Sequence, residues 1–355
     1  MLNKQSPIVE KHLNTFCTFG GLFYLLLARI DKKDYIKSKF QAFLTKKTGK
    51  KMGRYILSNN VDIVICYDTW SYDLIKFLKN KKNKTKIILD MSSIPLDAIK
   101  NIMNENIFSC SEKYSDLSFE ACDSLKINYV RKCNYEIQNS DYYFVPSSFS
   151  LDKLNGYNIS SKKIFVIPYG NYEFENKKNK VNDIVNFIYL GQVSVSKGFH
   201  YLLDAIDTIK KPFKLTVIGS EGPFGDILRS NNKIEYLGIL PHGEIGKTVS
   251  KCDVFISPSL YDSFSFSLTE SMNMGLPVIV TENVGAKQYV TNGESGYIVP
   301  PMNAKALKNK IEWFIDNKES IMKMGEKSKY DVIDVTWSNY NMALGTAIKE
   351  ITEDF

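Results

Sequence analysis

The chain is predicted to be an α/β protein built on parallel, doubly wound sheets, and three observations predict it. Short continuous apolar runs alternate with amphipathic runs through residues 186–280, giving a βαβα order. A second alternation of the same kind, with weaker punctuation, occupies residues 61–170. At 355 residues the chain also exceeds what one hydrophobic core normally organises, so two domains are expected. Hydrophobic content of 44% is ordinary for a folded protein and too high for disorder.

Taken in order, some 55 residues of mainly helical pattern precede the first strand signal. Within them Phe16–Ala28 is apolar but too short to span a bilayer. It reads as a buried helix or as a segment lying on a membrane surface. Phe19-Gly20-Gly21 only faintly suggests a glycine turn, so the first domain reads as reduced or truncated at its start. Val61–Cys66 and Thr85–Leu89 read as strands separated by a helix through Tyr72–Leu78. Ser140–Ser148 and Lys163–Gly170 read as the last strands of this domain, and the polar tract Tyr172–Asn182 as a linker.

The second alternation begins with the strand signal Asn186–Leu190, then Gly191–Gly198 and the amphipathic run FHYLLDAIDTI. A glycine-bounded turn carrying a Lys, set between strand and helix, has the form of a phosphate site. KLTVIGSEGP follows as a strand into a Gly/Pro turn, and IEYLGILPHGEIGKTVSKCDVFISPS as strand, loop, helix and strand. Next comes LYDSFSFSLTESMNMGLPVIVTENVGA at 260–286, a Ser/Phe loop running into a helix that Gly275-Leu276-Pro277 stops ahead of the strand Val278–Val280. Such a loop turns backbone N–H groups and the positive end of a helix dipole toward an anion. Asp262 and Glu270, eight apart, flank it. A carboxylate can accept two hydroxyl hydrogens at once, which suits a sugar and a ribose. Taken alone, the pair reads as a helix cap, Asp262, and a solvated face residue, Glu270.

These motifs together resemble the family 4 glycosyltransferases of the GT-B fold, which are retaining and use nucleotide sugars. The resemblance rests on G-x6-K-G at Gly191–Gly198, VIGSEGP at 217–223, YLGILPH at 236–242, FISPSLYDSFSFSLTESM at 255–272, GLPVIVTENVGAKQYVTNGESGYIVPP at 275–301 and the late Trp337. It covers residues from about 55 to 355. It implies two Rossmann-like domains facing a cleft: residues 1–175 on the acceptor side, 176–335 on the donor side, and a last helix at 336–355 crossing back to the first domain. It further implies that Glu270 holds the ribose, that Asp262 faces the donor sugar and that Lys197 touches the diphosphate. These three are the expected catalytic residues. Gly191, Gln192, Gly219, His242, Ser263, Phe264 and Ser265 complete the expected donor site.

Two positions depart from the family pattern. The first acidic residue is usually Glu and here is Asp262. An Arg usually stands beside the Gly or just before the Lys, where this chain has Gln192 and Ser196. Arg229 or Lys287 is the candidate replacement cation. Asp68 and Asp90, at the carboxyl ends of predicted strands, are acceptor-side candidates, with buried helix caps as the other reading.

The implied activity is hexosyl transfer from a UDP- or GDP-sugar to a glycan or lipid-linked acceptor in cell-surface polysaccharide synthesis. No cofactor and no metal are expected, since the chain holds no D-x-D and its His12, His200 and His242 form no ligand pattern. A weak nucleotide-sugar binder within a polysaccharide assembly and a sugar-nucleotide epimerase are the alternatives. Gly246-Lys247-Thr248 has Pro241 where a P-loop needs glycine and is expected in an ordinary helix. His200 is expected to pack.

Charge divides the chain. Residues 1–180 hold 29 Lys+Arg against 18 Asp+Glu, a net +11, and the remainder carries −4. A basic first half suits an anionic membrane surface or an acidic acceptor. Nucleic acid is not expected, because aromatic interleaving is absent. Six cysteines without C-x-x-C spacing read as reduced core residues of a cytoplasmic protein, peripheral on the inner face of the plasma membrane where the basic half engages it.

Overall fold

The structure, a computed structural model, describes residues 35–123, 125–172, 174 and 181–353. The apolar run at 16–28, the glycine pair behind Phe19 and most of the expected linker lie outside the described residues. The chain divides into two compact units, residues 1–90 with 131–143, and residues 91–130 with 144–355.

In the first unit helix α1 (Tyr35–Ser58) precedes strand β1 (Ile63–Tyr67), helix α2 (Tyr72–Asn80) and strand β2 (Lys86–Asp90). β1 and β2 are parallel, with Ile63 opposite Lys86 and Tyr67 opposite Asp90. Two glycines let α1 lie directly against α2. A Cβ on Gly49 would meet the backbone of Asp73 and Leu74, and one on Gly53 the ring of Phe77.

Helices α3 (Leu96–Ser109) and α4 (Ser115–Asp123) belong to the second unit, and α5 (Ile127–Gln138) returns to the first. Strand β3 (Tyr142–Val145), helix α6 (Ser148–Leu154) and strand β4 (Ile164–Val166) follow. The described sheet here has the order β1-β2-β3-β4. β4 is shorter than the apolar run through Gly170 suggests, because Pro168 has no N–H to donate. Ile167 makes the last bond, to the Val145 carbonyl.

The rest of the second unit is built on a six-stranded sheet. Its elements are β5 (Asn186–Leu190), α7 (Phe199–Asp207), β6 (Lys214–Ile218), α8 (Gly225–Ser230), β7 (Ile234–Gly238), α9 (His242–Val249), β8 (Val254–Ser257), α10 (Phe266–Asn273), β9 (Val278–Thr281) and β10 (Gly296–Val299). Helices α11 (Ala304–Asp316), α12 (Ser320–Asp331) and α13 (Trp337–Glu353) end the chain. The strand order is β10-β9-β8-β5-β6-β7, and each pair is parallel. Read from β7, the order is that of a doubly wound nucleotide-binding sheet, with its switch point between β5 and β8.

β8 and β9 are apolar throughout because a central parallel strand is covered on both faces, and every residue of either is buried. Phe187, Ile188, Leu215, Val254, Phe255, Val278 and Val280 are each at most 1% exposed. Each such side chain contributes about 1.5–3 kcal/mol by burial. His200 packs as expected. It is fully buried, its Nε2 lies 2.9 Å from Asn106 Oδ1, and burial lowers its pKa to about 4, so the ring is neutral. Gly246–Thr248 lies inside α9. Cys66, Cys122, Cys133 and Cys252 are buried and, like Cys110, form no disulfide among the described residues.

Candidate active site

At the switch point the carboxyl ends of β5 and β8 diverge, and a cavity of about 490 Å³ opens there. One wall is Tyr189, Leu190 and Gly191 at the end of β5, and another is Ser257 and Ser259 at the end of β8. Its floor is the loop Asp262–Ser265 and the first turn of α10, with Glu270 one turn further along. All of the residues lining it belong to the second unit.

The floor owes its shape to two local features. Ser265, at φ +76°, is a non-glycine residue in the left-handed region and turns the chain abruptly into α10. Its side chain makes no capping bond. The N–H groups of the first helical turn have no intrahelical acceptor, so an uncapped start leaves them for a ligand. Lys197 is delivered by the turn after β5, where Gly198 adopts φ +66°. A Cβ on Gly198 would run into the Pro258 carbonyl, so only glycine brings this turn so close to β8.

Lys197 and Asp262 meet directly. Lys197 Nζ donates to Asp262 Oδ2 at 2.7 Å, and the side chains are 32% and 18% exposed. Asp262 Oδ1 accepts the Phe264 N–H at 3.3 Å. Glu270, by contrast, has no hydrogen-bonding or ionic partner among the described residues, and burial pushes its pKa up to about 7. A carboxyl that faces a cavity, is desolvated and lacks a partner is suited to receive hydroxyl hydrogens from a ligand.

Of the expected donor residues, Gly191, Lys197, Asp262, Ser263, Phe264, Ser265 and Glu270 all line this cavity. The Phe264 ring itself is buried in the apolar core. Gln192, Gly219 and His242 lie outside the lining. Gln192 is exposed, with its carbonyl taken by the Tyr189 hydroxyl at 2.6 Å. Gly219 packs against Gly191, where a Cβ would strike the Gly191 carbonyl. His242 opens α9 and stacks one face of its ring on Phe174 at 4.9 Å and 21°.

The candidate replacement cations are not in the cavity wall either. Arg229 is held by Glu221 and Asp226 on the surface, and Lys287 lies in the short 3-10 turn Gly285–Tyr289. Asp68 and Asp90 are in the first unit at the carboxyl ends of β1 and β2, where the Asp68 N–H donates to the Asp90 carbonyl. Burial, and then the charge of Asp68, raise the Asp90 carboxyl to about 6.

Ser92, Tyr169, Tyr189, Ile245 and Phe266 also line the cavity and were not expected there. Ser92 could have been found from its place two residues beyond β2. The others are apolar or aromatic residues whose local pattern marks them as core. A larger cavity of about 940 Å³ is lined by Asn171, Asn273, Tyr330 and Trp337, at the carboxyl end of α10. It gathers none of the motif carboxylates, although the start of α13 at Trp337 borders it. Among the described residues no cluster of His, Cys, Asp or Glu is placed to hold a metal ion.

Residues 171–331 match the model of the family described as glycosyl transferases group 1. This segment of the chain is thus similar to the glycosyl transferases group 1. It contains the whole six-stranded sheet and every cavity-lining residue except Ser92 and Tyr169. An uncharacterized glycosyltransferase of Methanocaldococcus jannaschii is 28% identical over 236 residues, 65% of either chain. The capsular polysaccharide biosynthesis glycosyltransferase CapM of Staphylococcus aureus is 30% identical over 203 residues, 51% of either chain. The chain thus spans between half and two thirds of these two relatives. Among solved structures, Anabaena HepE in complex with UDP superposes with a TM-score of 0.64 at 14% identity, over 85% of this chain and 82% of that one. The fold around the matched segment is GT-B.

Proposed function

We propose that this protein is a retaining glycosyltransferase that moves a hexosyl group from a UDP- or GDP-sugar to a glycan or lipid-linked acceptor in cell-surface polysaccharide synthesis. The observation that carries the reading is the convergence of Glu270, the Lys197–Asp262 pair and the uncapped start of α10 on one cavity at the switch point of the matched segment. The name of CapM and the UDP held by HepE support it.

In this reading Glu270 accepts the ribose hydroxyls, and Lys197 and the first-turn N–H groups of α10 face the diphosphate. Asp262 is shared between Lys197 and a sugar hydroxyl. As the bond from the anomeric carbon to the diphosphate oxygen breaks, negative charge grows on the leaving group, where Lys197 and the helix dipole stabilise it. The acceptor oxygen bonds the anomeric carbon on the same face, and its proton passes to the departing phosphate oxygen. Positioning and electrostatics suffice for that route. We propose that neither metal nor cofactor takes part and that the basic first half attaches the protein to an anionic membrane.

A second reading, a donor-binding protein with little turnover, is favoured by the commitment of Lys197 to Asp262 and by Gln192 standing where the family pattern has Arg. A transfer assay over UDP- and GDP-hexoses in the presence of EDTA separates the two. Product with net retention is expected. Donor binding without product or free sugar would favour the second reading, and complete loss of product that Mg²⁺ restores would refute metal independence.

A further inference from the structure

The loop that carries Asp262 is secured by two parts of the chain, the second of them remote in sequence. The loop runs beside residues 283–286. The Asp262 N–H donates to the Asn283 carbonyl at 2.9 Å, the Gly285 N–H to the Asp262 carbonyl at 2.8 Å and the Ala286 N–H to the Phe264 carbonyl at 2.8 Å. The Ser263 carbonyl, between these bonded groups, takes its hydrogen bond from another part of the chain: the Ser147 hydroxyl donates to it at 2.6 Å.

Ser147 is fully buried and is the N-cap of α6, where its Oγ also accepts the Ser150 N–H at 3.2 Å. The Ser150 hydroxyl lies 3.4 Å from the same Ser263 carbonyl. Gly285 permits this junction, since a Cβ there would meet both the Ser263 carbonyl and Ser147 Oγ.

The Ser263 carbonyl and the Phe264 N–H belong to one rigid peptide plane and point in opposite directions. Fixing the carbonyl therefore aims the N–H, and that N–H is the one donated to Asp262 Oδ1. Asp262 Oδ2 in turn holds Lys197. We propose that Ser147 is a positioning residue for the donor sugar: through the 263–264 peptide it sets the orientation of the Asp262 carboxylate and of the lysine paired to it. This inference rests on the donor-cavity reading above. Ser147 touches no substrate, so its effect falls on what Asp262 faces and leaves the ribose contact of Glu270 in place.

The test compares the affinity for the free nucleotide with that for the nucleotide-hexose, by calorimetry with UDP, GDP and their hexoses, well below the melting temperature of each variant. In Ser147→Ala the Ser263 carbonyl loses its principal donor and the peptide can rotate. The ratio of the nucleotide-hexose Kd to the nucleotide Kd is expected to rise about tenfold, the scale of one buried hydrogen bond, with a parallel fall in kcat. Ser147→Thr keeps the hydroxyl and is expected to restore both. If the alanine variant does not fold, Ser147→Cys preserves shape with a weak donor and is expected to raise the ratio in the same direction.

A Ser147 that only caps α6 would lower the melting temperature and leave the ratio unchanged, and that result overturns the proposal. Glu270→Ala separates this failure from failure of the donor reading. Nucleotide affinity lost in Glu270→Ala, with the ratio unmoved in Ser147→Ala, refutes only the role of Ser147. Nucleotide affinity kept in Glu270→Ala, or no binding of UDP or GDP by the unaltered protein, refutes both.

Discussion

Glu270 concentrates the chemistry of the site in one titration. Burial raises its pKa to about 7, and nothing among the described residues pairs with it. Ribose hydroxyls donate hydrogens, so a bound nucleotide favours the ionised carboxylate. Affinity for UDP or GDP is therefore expected to increase from pH 6 to pH 8 and to level off above, with a slope approaching tenfold per pH unit on the acid side. Stability of the ligand-free protein moves the other way. The folded-state pKa lies above the unfolded value, so this residue's contribution is fully present below the unfolded pKa and is lost as pH rises through about 7. Glu270→Gln is expected to flatten both profiles. Titration calorimetry and thermal unfolding across that range check this, and a nucleotide affinity independent of pH in the unaltered protein would contradict the ribose assignment.

At the scale of elements, helix α2 shows how a terminus can be satisfied from far along the chain. Ser71 at its N-cap makes no side-chain capping bond. Glu136, from α5, accepts the N–H groups of Thr69 at 2.6 Å, Ser71 at 2.8 Å and Tyr72 at 2.7 Å. Glu136 is 1% exposed, and burial pushes its carboxyl up to about 7 against the pull of those three donors. Truncation strands three N–H groups at a buried helix start. Glu136→Ala is expected to cost about 3 kcal/mol of stability by the cost of unpaired buried donors, measured by urea unfolding, with Glu136→Gln losing less.

This contact also marks the limit of what the sequence makes legible. β8 and β9 were readable because a strand covered on both faces must be an unbroken apolar run. The motif loops were readable because glycines, a lysine and two carboxylates stand at definite spacings. Glu136 and Ser147 were not readable, because their partners lie 67 and 116 residues away at the farthest and no local pattern names them. The stacking of His242 on Phe174 was not readable for a related reason, since only tertiary packing decides it.

At the scale of the whole molecule, charge and apolar exposure coincide on α1. Lys46, Lys47, Lys50, Lys51 and Arg54 are exposed on this helix, and Phe43 and Tyr55 are 58% and 40% exposed beside them. No helix of the described residues is long and apolar enough to cross a membrane, so any attachment through α1 is superficial. A cationic face with scattered aromatic rings attracts anionic headgroups by about 1 kcal/mol per basic residue, and that attraction fades within a Debye length of roughly 10 Å at 0.1 M salt. The protein is accordingly expected to sediment with phosphatidylglycerol-containing vesicles at low ionic strength, to release by 0.5 M salt and to ignore neutral vesicles. Replacing Lys46, Lys50 and Arg54 together by Glu is expected to weaken vesicle binding at least tenfold while nucleotide affinity stays unchanged, because none of the three lines the donor cavity. Vesicle binding that survives both the salt and the triple substitution would locate attachment elsewhere on the chain.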